Sequence, residues 1–217
     1  MATSRLQIYN IAMSALGERQ IDSLSEDVES RRVMDEIWAR GSGAIRYFLE
    51  QGHWNHAMRA VKLDKSATVT PEFGFTFAFE KPSDFIRMNM ISADERFGYP
   101  LTDFEWEGNF VYAWVDPLYM RYVSDDEDFG ANFSLWPETF TLWAGYYMAT
   151  QAAPRLKNDT DMEVLEERTR KYRIDARSKD AMNEPPRWPP LSSWNQARYS
   201  RYFNRFDRGL RNKLIGQ

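Results

Sequence analysis

The chain has 217 residues, with 28 basic and 32 acidic side chains, two histidines and no cysteine, for a net charge of −4. This length suits one domain plus an extension, and the absence of thiols excludes disulfides and cysteine-ligated metals and fits a reducing compartment. No apolar run reaches the roughly eighteen residues that would cross a bilayer, and the start Met1-Ala2-Thr3-Ser4-Arg5 lacks the basic-then-apolar build of a signal peptide, so no membrane partner is expected.

Residues 5–16 read as a short helix with Leu6, Tyr9, Ile11, Met13 and Leu16 as its apolar positions and Gly17 at its C-cap. Ser23-x-x-Glu26 resembles a capping box and predicts a long helix from there to about Gln51. Met34, Ile37, Trp38, Ile45 and Phe48 form its apolar stripe. Gly41-Ser42-Gly43 interrupts it; two glycines cost about 2 kcal/mol against alanine, so a kink, a break or close packing is expected there.

From about Ala57 to Val123 the period changes to two. Phe73, Phe75, Phe77 and Phe79 alternate, as do Phe104 with Trp106, Phe110-Tyr112-Trp114, and Leu118-Met120-Tyr122. Such alternation predicts strands with those residues on a buried face. Glu107-Gly108-Asn109 and Asp116-Pro117 are short enough for hairpin turns.

Helix returns after Pro137, with Phe140, Trp143, Ala144 and Tyr147 facing inward and Pro154 closing the run. Thr160-x-x-Glu163 is a second capping box. The helix after it carries Met162, Leu165, Thr169, Tyr172 and Ala176 as its inner stripe and ends before Pro185. The expected fold class is therefore α+β. A mainly helical bundle is built from residues 1–56 and 134–182. A small antiparallel β region, residues 57–133, is inserted, and residues 183–217 form an extended tail.

Little in the body points to chemistry. His53 and His56 are three residues apart, but Gly52 ends the helix and no third ligand is evident, so a structured helix-to-strand turn is expected and no metal. Asp125-Asp126-Glu127-Asp128-Phe129-Gly130 looks like a calcium loop but puts Phe129 and Trp136 where oxygen ligands belong, so it reads as a solvated acidic loop. No phosphate-binding glycine loop, serine elbow or paired-carboxylate motif stands out, so neither a cofactor nor catalytic residues are expected.

The tail differs from everything before it. Residues 183–217 hold seven basic and two acidic side chains, which leaves residues 1–182 at −9. After the proline-rich Glu184–Pro190 stretch come Trp194 and then Tyr199, Tyr202, Phe203, Phe206 and Leu210 at i, i+3, i+4, i+7 and i+11. Arg198, Arg201, Arg205, Arg208 and Arg211 lie on the other side of that wheel. This is an extended spacer followed by a basic amphipathic helix, a pattern suited to a groove or a charged surface. Burying its rings returns about what ordering the segment costs, so it is expected to take a fixed shape only on a partner. Trp188 and Trp194 are the expected anchors, with Tyr199, Tyr202, Phe203 and Phe206 filling a groove and Arg198, Arg201, Arg205 and Arg208 meeting acidic groups.

The order of landmarks resembles the tail tubular protein A, or head-to-tail adaptor, family of short-tailed bacteriophages. The landmarks are Leu16-Gly17-Glu18, Ile21, Ser23-Leu24, His53-Trp54-Asn55-His56-Ala57 and Pro82-Ser83-Asp84-Phe85-Ile86-Arg87. Then follow Arg121-Tyr122-Val123, Pro137-Glu138-Thr139-Phe140, Ala144 and Ala149, Tyr172, Ala176, Asp180-Ala181 and Ser193-Trp194. Lys81 and His56 depart from the family pattern, which more often has an apolar and an aromatic residue there. The resemblance implies a virion protein of the phage neck, assembled in the host cytoplasm as a homo-oligomeric ring of about twelve copies. The ring would join the portal protein to the tail nozzle protein, line the ejection channel and touch viral DNA transiently, with the C-terminal extension gripping the portal. No catalytic residues come with this family. Two other readings remain open: a nucleic-acid-binding module using the arginine and aromatic tail, and a tail-associated cell-wall hydrolase.

Overall fold

The computed structural model describes residues 3–72, 74–98, 100–157 and 161–183, all within one compact unit. Five helices and six strands follow the chain: α1 (Arg5–Leu16), α2 (Glu29–Ala39), α3 (Ala44–Glu50), β1 (Met58–Leu63), β2 (Phe77–Glu80), β3 (Phe85–Ser92), β4 (Phe104–Glu107), β5 (Phe110–Ala113), β6 (Leu118–Ser124), α4 (Glu138–Leu156) and α5 (Met162–Met182). The chain is α+β, with two small antiparallel sheets ordered β1-β6-β3 and β2-β5-β4.

The first helix forms as its sequence dictates. Ser4 caps its N-terminus by accepting from the Gln7 amide at 3.2 Å. Gly17 ends it in the left-handed region at φ 70°, with the Glu18 amide reaching back to the Met13 carbonyl at 2.9 Å. α1 then lies against α4, where Ala144, Gly145, Ala149, Ala152 and Ala153 bring the two backbones close. A Cβ on Gly145 would collide with Ile11, so the small-residue face of α4 sets how near the helices pack.

The predicted long helix is corrected at its start, while its glycine segment takes one of the expected forms. It begins at Glu29 rather than near Ser23. The Ser23–Glu26 signature closes a turn instead: Glu26 accepts from the Asp22 amide at 2.9 Å, and the Ser23 hydroxyl accepts from the Ser25 amide at 3.2 Å. These local side-chain bonds satisfy the backbone without a helix following. The Gly41-Ser42-Gly43 segment is a break, with φ 63° and 95° at its glycines, and α3 starts beyond it.

Several strand expectations are also corrected. β2 spans only Phe77–Glu80; Phe75 precedes it, and Phe73 lies outside the described residues. In β5 the fully buried residues are Val111 and Ala113, while Phe110, Tyr112 and Trp114 face outward. The aromatics there signalled the strand but not its inner face, because Phe77 and Phe79 of β2 and Phe104 and Trp106 of β4 flank Val111 and Ala113 and already supply the bulk on that side. Glu107–Phe110 is a hairpin turn joining β4 to β5, but Asp116-Pro117, a cis peptide, carries the chain from one sheet to the other.

In the last two helices, Pro154 does not close α4, which runs on to Leu156; the Lys157 amide still reaches the Ala153 carbonyl. Within the last turn a proline forfeits one hydrogen bond without forcing the chain to turn away. The N-cap of α5 is Asp161, which accepts from the Val164 amide at 3.3 Å; Thr160 lies outside the described residues. Leu165 and Ala176 are buried, and Met162 and Tyr172 pack on the same core.

Two hydrophobic clusters result. The larger joins the helices through Phe48, Trp54, Phe140 and Trp143; the smaller lies in the β region and includes Phe79, Val111, Met120 and Tyr122.

Candidate interaction surfaces

The polar side chains of the body gather first at the seam between strands and helices. Asp84, from the Pro82-Ser83-Asp84 segment, accepts from the Tyr122 hydroxyl at 3.0 Å, from the Ser124 hydroxyl, and from Arg59 at 2.9 Å. Arg59 also meets Asp126 at 3.2 Å and lies over the Phe129 ring at 5.3 Å, while Arg46 pairs with Asp125 at 3.2 Å. Two arginines thus tie down Asp125 and Asp126, while Glu127 and Asp128 stay exposed, as the reading of a solvated acidic loop expects. Burial pushes the Asp84 carboxyl up, but the Ser124, Tyr122 and Arg59 hydrogen bonds outweigh it and hold it below the ordinary value. Burial, and then Asp84 itself, raises the Tyr122 phenol. Both groups are driven away from neutral pH, so this cluster fastens β1, β3 and β6 together and exchanges no proton near pH 7.

The second gathering is the turn after α3. The Trp54 indole donates to the Phe48 carbonyl at 2.9 Å, and Trp54 stacks on Trp143 at 5.5 Å. Asn55 binds α5 twice, its amide donating to the Asp180 carboxylate and its side chain to the Asp180 carbonyl at 2.7 Å. His56 enters a cage of Trp54, Trp136 and Phe140, with the Phe140 ring 4.8 Å away. Neither imidazole nitrogen has a hydrogen-bond partner among the described residues, and burial lowers its pKa to about 4. The two histidines are not brought with carboxylates into a metal-ligating group among the described residues. Lys81, the other departure from the family pattern, lays its ammonium over Trp106 at 5.0 Å and Phe85 at 5.5 Å, so its stem does the covering an apolar residue would do.

Among the described residues, three surfaces offer unpaired charge or exposed rings to a partner. Between α4 and α5 a groove of about 390 Å³ is floored by Tyr47 and Tyr147, stacked at 4.6 Å, and rimmed by Glu163, Glu166, Arg170 and Arg173. Glu163, Glu166, Glu167, Arg170 and Lys171 form no ion pair among the described residues, so this helix face carries unspent charge. A second surface is an arginine edge. Arg173 and Arg177 lie one turn apart on α5, and Arg87 of β3, which donates to the Glu50 carbonyl at 3.0 Å, stands within electrostatic reach. Burial, then Arg173 and Arg87, lowers the Arg177 guanidinium, and none of the three has a carboxylate partner among the described residues.

The third surface is the outer face of the β2-β5-β4 sheet. Register places Glu105 beside Tyr112 and both Glu107 and Glu80 beside Phe110, all pointing away from the small core. Trp114 is 51 % exposed and packs on Phe75 at 5.2 Å. A hollow of about 360 Å³ opens between Phe75, Tyr112, Glu72, Glu105 and Glu107.

All the sequence-predicted contact residues, Trp188, Trp194, Arg198, Tyr199, Arg201, Tyr202, Phe203, Arg205, Phe206 and Arg208, lie outside the described residues. Sequence reasoning missed the arginine edge because Arg87 is far in sequence from Arg173 and Arg177 and only the fold brings them together. It missed the acidic aromatic face because period-two aromatics were assigned inward; the small residues between them, Val111 and Ala113, were the available signal. No protein-family model matches the chain, and no curated protein matches it.

Proposed function

We propose that the chain is a structural subunit of a bacteriophage neck, a head-to-tail adaptor that forms a ring between portal and tail nozzle and docks on the portal through residues 183–217. The observation that carries this reading is the segregation of the sequence: a body at −9 followed by a tail at +5 that is dense in arginine and aromatic rings. A tail so dense in rings and guanidinium groups is chemically equipped to grip another protein. The landmarks of the resemblance support it as well. Gly17 caps α1, His53-Trp54-Asn55 pins the end of α5, and Pro82-Ser83-Asp84 holds the strand seam, so they are places where the fold needs those residues. The acidic body suits a channel wall that lets DNA pass, since phosphates gain nothing from it.

The test is the full chain against a chain ending at Glu184, each mixed with the portal protein of the same virus and imaged by negative stain. The full chain is expected to cap portals as a ring; the shortened chain is expected to keep its circular dichroism and lose attachment. Normal capping by the shortened chain removes the tail from the role. The arginine and aromatic composition also favours single-stranded nucleic acid, with stacking on the rings and phosphates on the guanidinium groups. Tight, strongly salt-dependent binding of DNA by the full chain, with no portal attachment, would replace the adaptor reading with that one.

A further inference from the structure

We infer that successive copies of this chain join head to tail, the arginine edge of one copy (Arg87, Arg173, Arg177) seating on the acidic aromatic sheet face of the next (Glu105, Glu107, Tyr112, Trp114). The inference rests on the adaptor reading and names the contact that the ring would use.

The argument begins with two surfaces on one body that each lack a partner. On the sheet face, Glu72, Glu80, Glu105 and Glu107 have no ion-pair partner among the described residues, and they flank the exposed Trp114 and the half-buried Phe75, Phe110 and Tyr112. Carboxylates beside aromatic faces are the chemistry that takes a guanidinium: the carboxylate accepts two parallel N–H bonds while the planar cation lies on a ring. On the other side, Arg173 and Arg177 lie one turn apart on α5, and neither they nor Arg87, which is held at the Glu50 carbonyl, has a carboxylate partner among the described residues. Like charges one helical turn apart repel, and an anion brought from outside relieves the repulsion. A second copy supplies that anion in the right company.

The geometry also decides what kind of assembly follows. The donating and accepting surfaces are different patches: one on β3 and α5, the other on the β2-β5-β4 sheet. A contact between unlike patches is heterologous, so each added copy leaves one donor and one acceptor free, and the series ends only by closing into a ring. A reciprocal dimer, in which each copy's arginines meet the other's sheet face, would stop at two copies and give no covalent ladder.

Because the natural chain has no cysteine, the contact can be trapped without background thiols. Glu107→Cys and Arg177→Cys are introduced together into the full chain, which is assembled on its portal and oxidised. The expected product is a ladder of covalent multimers that collapses on reduction; the single substitutions give at most dimers. Arg173→Glu with Arg177→Glu, and separately Glu105→Arg with Glu107→Arg, should each weaken self-association about tenfold or more, and mixing the two variants should restore pairing between them. All these residues are on the surface, and unchanged thermal melts check that the variants fold. Rings that form without a covalent ladder overturn this pairing and leave the adaptor reading intact. Failure of the unmodified chain to form rings, with or without portal, overturns both. Association that ignores the arginine reversals but disappears when the chain ends at Glu184 assigns the sheet face to the basic tail of a neighbour and also overturns the pairing.

Discussion

The helical layer and the strand layer of this body are held by different physics. In the helical layer the decisive contacts are shapes: Phe48, Trp54, Phe140 and Trp143 meet edge to face or stacked at 4.7–5.5 Å, and α1 approaches α4 as closely as Gly145 permits. In the strand layer the core is thin, and a charged cluster around Asp84 fastens strands from three places in the sequence. Ring packing is indifferent to pH and salt, whereas a carboxylate clamp depends on both. One body thus combines a layer that fails by losing volume with a layer that fails by losing charge.

The largest effect should come from the helical side. Trp143→Ala empties the space between Phe48, Trp54 and Phe140 and should cost about 3–5 kcal/mol in urea unfolding. A loss below about 1 kcal/mol would mean the rings collapse readily into the gap, and the contrast between the layers would fail.

His56 is where the helical layer does respond to pH. Its pKa is lowered from 6.5 to about 4 in the folded chain, so the unfolded chain takes up a proton that the native cage refuses. Stability should therefore be at its plateau above pH 6.5 and fall as pH drops from there to about 4, by on the order of 3 kcal/mol in all. His56→Phe keeps a ring in the cage and removes two buried nitrogens without partners. It should flatten that slope and leave stability at pH 7 equal or higher. A variant that keeps the slope would place the acid sensitivity elsewhere.

The two layers were also unequally legible in the sequence. Helix periodicity, the Gly17 cap, the glycine break and the inner stripe of α5 could be read directly, because each depends on neighbours within a few residues. The Ser23 signature misled because the same local hydrogen bonds serve a turn as well as a helix start. In the strands, period two identified the elements, but facing depends on which partner supplies the bulk, and Val111 with Ala113 took the inside. Asp84, Tyr122, Ser124 and Arg59 are spread over sixty-six positions, numbers 59 to 124, so nothing local announces their meeting. The same is true of Arg87 with Arg173 and Arg177. The expected contact residues from Trp188 onward rest on composition and spacing alone and lie outside the described residues.

The clamp itself is broken by Asp84→Asn, which keeps the shape but gives up the charge that Arg59 and two hydroxyls address. The expected loss is about 2 kcal/mol, with amides of β1, β3 and β6 exchanging faster and those of α1 and α4 unchanged. The native Asp84 carboxyl titrates below its unfolded value, so its contribution is present above that value and fades as pH falls through the acid range, beneath the His56 window. Faster exchange throughout both layers would show that they open as one unit and would erase the distinction.

The smallest effect sets the scale for the others. Asp161 is also a carboxylate, but it caps the first turn of α5 by a single bond to the Val164 amide and stands in solvent. Asp161→Ala should cost about 1 kcal/mol and fray that turn alone, because the far end of α5 is pinned through Asp180 and Asn55 and its middle by Tyr172 and Ala176 on the core. Exchange at residues 162–166 should rise while residues 170–182 stay protected. One carboxylate removed from each layer then gives a direct comparison. If the cap proves as costly as the clamp, the helices depend on charge as much as the strands do, and ring packing does not explain how the helical layer holds.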